Sequence, residues 1–336
     1  MKKIIIISSI LLTISLLSGT SCTNVIEDFS KGQDTLLVMN ALMQSDDSVH
    51  AAYLSLSHGP SVSPEPKGTV ECYINGDLAA TATCSSDEIG AAGKYCFKAV
   101  FKPGDEIMLK AVSGNRQTVA KVTVPQPGAT ISKTDTAKIR TYSNGGWNDY
   151  EQFKVTVNDG KGTRDYYRMA LFLEKKLFDE NGQEIAINNG YAEYDLDGSG
   201  DPVLSEGKIA DSDNEDIFDG SPVNTYNIFT DQMFADGSYS IKANTPYGNL
   251  ISYSSDAVFT EDYCLLSVTA YVKIYSISEK EFHYLKARSA DDGDFISGEP
   301  VIFPTNVEGG LGFVGIASPA VCKIEFPDLK IDNIYY

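Results

Sequence analysis

TVECYINGDL, residues 69–78, carries the clearest indication of how this chain folds. Its first half alternates apolar and polar residues, which is typical of a half-buried β-strand. Asn75-Gly76 then supplies the two positive φ angles that a type I′ hairpin turn requires. Phe101-Lys102-Pro103-Gly104-Asp105 predicts a second tight turn. Both signals indicate short strands joined by tight turns.

Short apolar or alternating runs lie on both sides of this hairpin. They predict strands at Leu36–Met43, Ala51–Ser57, Thr69–Ile74, Ala79–Cys84, Tyr95–Phe101, Glu106–Val112 and Thr118–Val124. Seven strands in about ninety residues are typical of two packed sheets. The sequence therefore predicts a mainly β protein, with an immunoglobulin-like β-sandwich over residues 36–125.

A domain boundary is predicted at Val124-Pro125-Gln126-Pro127-Gly128, because two prolines remove amide donors within three residues. Residues 126–336 are predicted to form a larger, mostly β domain. Its strands are expected to include Phe153–Val157, Tyr166–Leu173, Ser238–Ala243, Cys264–Ile277 and Cys322–Phe326. Ser278-Glu279-Lys280-Glu281 is a capping box, which predicts one short helix running to Arg288.

Residues 188–227 form a long acidic stretch without a sustained period, and we expect a loop there that is functional or mobile. A calcium-loop spacing lies within it, with oxygen ligands and a glycine at the sixth position, Gly200. The candidate ligands are Asp195, Asp197, Ser199, Asp201 and Glu206. The alternative is a solvated acidic loop, which Pro202 favours because a calcium loop normally has an aliphatic residue there. Apart from this candidate calcium site, no cofactor is predicted.

The N-terminus has the pattern of a secretory leader: two lysines, an apolar run from Ile4 to Leu17, then small residues before Cys22. The position of Cys22 resembles a lipobox, although Gly19 stands where that motif usually has an aliphatic residue. We expect residues 1–21 to be removed, Cys22 to be acylated, and residues 22–35 to form a tether. Two acyl chains would hold the protein at a membrane. Ordinary secretion without acylation is the alternative.

Charge excludes one class of partner. The chain carries a net charge of −19, and removal of residues 1–21 takes away two lysines and no acidic residue, which gives −21. Such a surface repels nucleic acid and anionic lipid. Membrane association is therefore expected to depend on acylation and not on a basic patch.

Five cysteines remain if Cys22 is acylated, so at least one thiol must be free. They are Cys72, Cys84, Cys96, Cys264 and Cys322. The sequence leaves their pairing open, because a buried reduced cysteine packs as a small hydrophobic residue. Zinc spacing is absent, since no C-x-x-C occurs and the three histidines are scattered.

Two further segments have candidate roles. Trp147 and Tyr150 lie in or beside a glycine-rich turn, where they are candidates for contact with a ligand or partner. The alternative is that the tryptophan closes the domain boundary. Gly309–Gly315 lacks the Lys-Ser/Thr of a phosphate-binding loop. It is expected to be a glycine-rich connection that passes closely over another strand.

The order of several motifs resembles the family called domain of unknown function 4249. In the first half the motifs are the leader with Cys22, Leu37–Ala41, Val70–Gly76, Phe101–Asp105 and Val122–Pro125. In the second half they are Asp201–Leu204, Phe229–Asp231, Asp236–Tyr239, Ser276–Ser278 before Tyr284, Glu299-Pro300 and Asn306–Gly312. The resemblance implies an outer-membrane lipoprotein, often encoded beside a TonB-dependent transporter. It implies no catalytic residue.

Three classes of function follow. The first is a non-enzymatic binding or accessory partner of a TonB-dependent transporter, in nutrient uptake or surface substrate handling. The second is a surface hydrolase that uses carboxylates, which can lie far apart in the chain. The third is a structural or fimbrial subunit matured after an arginine, but the first arginine, Arg116, lies inside the predicted sandwich.

Overall fold

The computed structural model describes residues 35–58, 61–84, 93–143, 145–160, 164–179, 181–187, 190–205, 224–234, 236–253, 265–290 and 303–330. Cys22, Glu206 and Cys264 lie outside these ranges. The fold is mainly β, with several sheets in sandwich-like layers, which confirms the predicted class. Among the described residues, every helix is too short or too polar to cross a membrane.

The described residues of the first half form eight strands, one more than predicted. They are β1 (Leu37–Gln44), β2 (Val49–His58), β3 (Ser61–Pro64), β4 (Thr69–Ile74), β5 (Asp77–Thr83), β6 (Lys94–Lys98), β7 (Glu106–Ser113) and β8 (Arg116–Thr123). The order β1-β2-β3, with β6 also on β2, makes one sheet, and β8-β7-β4-β5 makes the other. Inward residues such as Met39, Leu54, Ile107 and Leu109 fill the space between them. β1 and β7 alternate buried and less buried positions, which is the pattern of a sandwich.

The predicted hairpin is present in detail. Asn75 and Gly76 have φ angles of 53° and 91°, as a type I′ turn requires. The second predicted turn contacts the first, because the Asn75 side-chain amide donates to Asp105 Oδ1 at 2.9 Å. Asn75 Oδ1 accepts the Glu106 amide at 2.9 Å. The two turns therefore fix one end of this sheet together.

In the second half, ten strands lie within the ranges that the structure describes. They are β9 (Ala129–Ser143), β10 (Gly146–Asp159), β11 (Tyr166–Phe178), β12 (Glu184–Ile185), β13 (Tyr191–Tyr194), β14 (Ile228–Thr230), β15 (Ser238–Pro246), β16 (Leu265–Ile277), β17 (Val307–Glu308) and β18 (Val314–Lys330). The helices are a 3-10 turn at Asp231–Met233, the one-turn α1 (Gly248–Ile251) and α2 (Glu279–Ala290). The Glu281 amide donates to Ser278 Oγ at 3.1 Å, which confirms the predicted start of α2.

Two layers of apolar side chains lie on opposite faces of β11 and β16. One face packs against the sheet β9-β10-β15, with Phe153, Met169 and Val272 in the core. The other face packs against α2, through Phe282 and Leu285. Because both faces are covered, residues Met169–Leu173 are buried without alternation.

The first and last described strands lie side by side. β1 pairs with β18 in parallel, with Ala41 opposite Val314 and Gln44 opposite Ala317. The order β11-β16-β18-β1-β2 is therefore one continuous sheet that contains strands from both sides of the predicted boundary. β17 also pairs with β8. The two halves are joined by backbone hydrogen bonds as well as by chain connectivity.

Gly309–Gly315 passes closely over β1, as predicted. Leu311 donates to the Leu37 carbonyl at 3.0 Å and accepts the Met39 amide at 2.9 Å. A Cβ on Gly310 would lie 2.2 Å from the Leu37 carbonyl oxygen, and one on Gly312 would lie 2.1 Å from that of Met39. Only glycine allows the two backbones to approach this closely.

Candidate functional site

The residues of the predicted calcium loop make a tight turn against β15. Asp197 exchanges two backbone hydrogen bonds with Asn244, and its Oδ1 accepts the Ser199 amide at 3.0 Å. Asp201 is buried, with Oδ1 accepting the Val203 amide and Oδ2 the Lys242 amide, each at 2.9 Å. Both carboxylates thus bond to backbone amides. The calcium site stays a prediction, because Glu206 lies outside the described residues.

Trp147 lies at the exposed tip of the β9–β10 hairpin. Its side chain is 65% exposed and meets Tyr142 edge to face, with ring centroids 5.5 Å apart. Tyr142 is directly opposite Trp147 in the antiparallel register. Sequence reasoning missed this partner, although Asn144-Gly145 between the two aromatic residues is a hairpin signal. Tyr150 is half-buried on the same strand.

A second cluster, which we call the charged aromatic face, lies on the side of β11 and β16 that faces α2. It consists of Arg168, Phe172, Glu193, Tyr191, Tyr271, Lys273, Tyr275 and Asp46. The antiparallel register places Arg168 opposite Tyr275 and Phe172 opposite Tyr271. Side chains on one face of paired strands are neighbours, so these residues meet over the sheet.

Both basic residues of this face are paired. Lys273 is buried, and its Nζ lies 2.7 Å from Asp46 Oδ2 and 4.5 Å from the Phe172 ring centroid. Arg168 donates to Glu193 through Nη2, and its guanidinium lies 6.0 Å from the ring centroids of Tyr226 and Tyr275. Charges this buried are tolerated only with such partners.

Tyrosines join the buried floor of the face to its rim. The buried Tyr275 hydroxyl donates to Gln44 Oε1, which connects β16 to the end of β1. Burial raises the pKa of Tyr275, so its hydroxyl stays protonated and acts as a donor. At the rim, Tyr191 is 53% exposed and stacks on Phe172 at 5.5 Å. The Tyr271 hydroxyl donates to Glu174 Oε2 at 2.7 Å.

Glu281 lies beneath the face, between α2 and β18. Burial raises its pKa to about 7, and the Arg168 charge opposes this rise. A Cβ on Gly315 would lie 2.6 Å from Glu281 Oε2, so the glycine makes room for the carboxyl group. Glu281 Oε2 and Arg168 Nε are both buried without a hydrogen-bond partner among the described residues. The capping-box spacing identified this residue but did not show that its side chain turns inward.

An exposed aromatic ring above buried charge pairs is an arrangement suited to contact with a ligand or partner. The exposed ring of Tyr191 provides apolar area at small entropic cost, and its stacking on Phe172 holds the ring in place. The sequence signal that could have identified the face is a single basic residue inside each of two apolar runs, Tyr166–Leu173 and Ala270–Ile277. Charges at such positions need partners, but their partners are distant in the chain.

Comparison with known proteins gave a family and weak structural likenesses. No curated protein matches the chain. β-Glucuronidase 3 of Bacteroides uniformis is 10% identical, with 74% of this chain and 25% of that one covered and a TM-score of 0.23. A β-glucuronidase of Parabacteroides merdae is 9% identical, with 88% and 25% covered and a TM-score of 0.20. A chimeric titin Z1Z2 tandem is 12% identical, with 70% and 91% covered and a TM-score of 0.17.

The chain spans about a quarter of the glucuronidases it matches, and likenesses at these TM-scores carry no argument about its activity. The family model gives a different result. The model described as domain of unknown function (DUF4249) matches residues 23–321, which is nearly all of the chain after the predicted leader. This protein therefore belongs to the DUF4249 family.

Proposed function

We propose that this protein is an outer-membrane lipoprotein that binds a partner or ligand without transforming it, beside a TonB-dependent transporter. The observation that carries the proposal is the charged aromatic face, where the exposed Tyr191 stacks on Phe172 above the Lys273–Asp46 ion pair. Tyrosine and arginine are enriched at binding surfaces. Sites on strands are also held more rigidly than sites on loops.

Lipid attachment at Cys22 is the first testable part of this proposal. We expect the Cys22→Ser variant to lose all labelling by a clickable palmitate analogue and to shift from the membrane to the soluble fraction. Loss of two acyl chains removes the apolar surface that would hold an acidic protein at a membrane. Mass spectrometry of the mature N-terminus measures the modification directly.

Cys96→Ser is the matched control, because Cys96 is an exposed thiol elsewhere in the chain. It should keep both the label and the membrane fraction. Labelling that persists in Cys22→Ser, or an unmodified wild-type N-terminus, contradicts acylation at this position.

Binding through the charged aromatic face is the second testable part. We expect Tyr191→Ser to reduce recovery of a crosslinked transporter by at least about tenfold, because truncation of an aromatic hot spot costs about 2 kcal/mol or more and about 1.4 kcal/mol already corresponds to tenfold. Mild-detergent purification followed by quantitative mass spectrometry measures the recovery. Tyr53→Ser is the control, since Tyr53 is 50% exposed on a strand of the other half. Equal recovery of the transporter with both variants would exclude the charged aromatic face as the binding surface. Purification of the wild-type protein without any transporter would count against a transporter partner.

A carboxylate hydrolase is the alternative with a specific observation behind it. Glu281 has a pKa of about 7, near the value that suits a general acid. However, only 4% of the Glu281 residue is exposed, and its carboxyl group faces Gly315 of β18. A substrate would therefore have to enter the layer between α2 and the sheet. Turnover of a glycan or peptide that Glu281→Gln abolishes would establish the hydrolase.

A fimbrial role is less compatible with the fold. Arg116 begins β8, and its Nε donates to the Thr35 carbonyl at 2.8 Å. Cleavage after this residue would separate β8 from the seven strands before it. A ladder of polymers on native gels would support this role.

A further inference from the structure

Three carboxylates meet where the two sheets of the second half come together. Asp159 ends β10, Asp165 immediately precedes β11, and Asp231 begins the 3-10 turn after β14. One oxygen of each carboxylate lies within 4.8 Å of the others. All three residues are half-buried. Like charges this close repel one another unless a cation or protons compensate them.

The backbone holds these residues in place. The Asp159 amide donates to the Gly237 carbonyl at 2.9 Å, and the Asp165 amide donates to Asp231 Oδ1 at 3.1 Å. β14 pairs with β11 at Thr230 and Tyr166, the residues next to Asp231 and Asp165. The carboxylates therefore converge because strands fix their positions, and not because one flexible loop folds back.

Two buried polar groups in this cluster have no hydrogen-bond partner among the described residues. They are the Asp159 carboxylate, whose two oxygens are both inaccessible to solvent, and the Tyr167 hydroxyl. Tyr167 is fully buried, and its hydroxyl lies 2.8 Å from where a Cβ on Gly128 would be. Buried polar groups without partners are rare and costly, and they often indicate an ion or water.

Electrostatics agrees with this geometry. Burial raises the pKa of Asp159, and the charges of Asp165 and Asp231 raise it further. The Tyr167 hydroxyl and the Gly160 amide are near enough to oppose the rise, although neither reaches hydrogen-bonding geometry. Burial and the same three carboxylates raise the pKa of Tyr167. The three carboxylates and the Tyr167 hydroxyl are therefore close enough for the charge of one group to change the pKa of another.

We propose that Asp159, Asp165 and Asp231 bind a divalent cation, and that Ca²⁺ is the ion they favour. Carboxylate oxygens are hard ligands, and Ca²⁺ accepts six to eight oxygens in flexible geometry, so water and backbone carbonyls can complete the shell. This site is distinct from the loop at Asp195 and Asp197. There the carboxylates of Asp197 and Asp201 are already used by backbone amides, whereas that of Asp159 is not.

A bound cation would connect the end of β10 to the start of β11 and to the turn after β14. These elements belong to the sheets β9-β10-β15 and β11-β16, which enclose the core around Phe153 and Met169. Calcium would therefore stabilise the packing of the two sheets, and through β11 it would stabilise the strand that carries Arg168.

Terbium luminescence on the mature protein tests the proposal, since tyrosine sensitises Tb³⁺ and both Tyr166 and Tyr167 follow Asp165 in the chain. We expect saturable emission that CaCl₂ displaces and MgCl₂ displaces more weakly. In a thermal scan, CaCl₂ at tenfold excess over its dissociation constant should raise Tm by about 3 °C relative to EDTA. Asp159→Asn should weaken binding at least about tenfold and abolish this shift.

Asp135→Asn is the matched control, because it also removes one negative charge, from an exposed position on β9 outside both acidic clusters. It should leave the titration unchanged. Asp231→Asn provides a second variant if Asp159→Asn does not fold. Lack of Ca²⁺ and Tb³⁺ binding by the wild type overturns the proposal, and so does binding that survives Asp159→Asn and Asp231→Asn or that disappears in the control.

Discussion

Gly312→Ala is expected to lower the free energy of unfolding by roughly 3–5 kcal/mol, because two penalties combine. Gly312 has a φ angle of +111°, which an alanine adopts only with strain. The added Cβ would also lie 2.1 Å from the Met39 carbonyl oxygen, which is backbone of the central strand β1 and cannot move aside. Urea denaturation followed by far-ultraviolet circular dichroism measures the loss.

Gly76→Ala separates the two penalties. Gly76 has a φ angle of +91°, but a Cβ there would meet nothing within 4 Å. We expect this control to lose only about 1–2 kcal/mol, the cost of the left-handed backbone alone. Equal losses in the two variants would show that the close passage over β1 does not determine the stability of this region.

Glu281→Gln is expected to make the protein more stable above pH 7 by roughly 3 kcal/mol and to leave it unchanged below pH 4.5. Burial raises the pKa of Glu281 from 4.5 to about 7, so the folded state binds a proton that the unfolded state releases. The stability of the wild type therefore falls as pH rises from 4.5 to 7. Glutamine mimics the protonated form and removes this loss.

Glu279→Gln is the control for this experiment. Glu279 lies in the same first turn of α2 but is exposed, so both substitutions remove one negative charge near the helix N-terminus. The control should be slightly destabilised at neutral pH, by less than about 1 kcal/mol. Parallel stability curves for wild type and Glu281→Gln between pH 4.5 and 8 would contradict a raised pKa for Glu281.

Local signals in the sequence predicted local structure well. The strand Thr69–Ile74 begins and ends where predicted, and the Asn75-Gly76 turn has the expected φ angles. Turn type depends on residues inside the turn, so it can be inferred from them. By contrast, β9 was missed. Its sequence ATISKTDTAKIRTYS is polar and mostly exposed, and it forms a strand because β10 provides a partner along its whole length.

Contacts between distant residues could not be predicted. The parallel pairing of Ala41 with Val314 depends on how the whole chain is arranged, and no local pattern records it. The same applies to the Lys273–Asp46 pair and to the cluster of Asp159, Asp165 and Asp231. Spacing predicted a calcium loop at Asp195 because regular spacing is visible in a sequence, whereas convergence of three separate strand ends is not.

The parallel pairing of β1 with β18 also has a mechanical consequence. If Cys22 is anchored in the membrane as proposed, a pull on the protein is transmitted through the chain before β1. The load then enters the fold along β1. Its hydrogen bonds to β18 and β2 run across the direction of force, so they are sheared together and not peeled apart singly. Tension between the anchor and a partner on β11 would pass through the ladders of β18 and β16, within a single sheet.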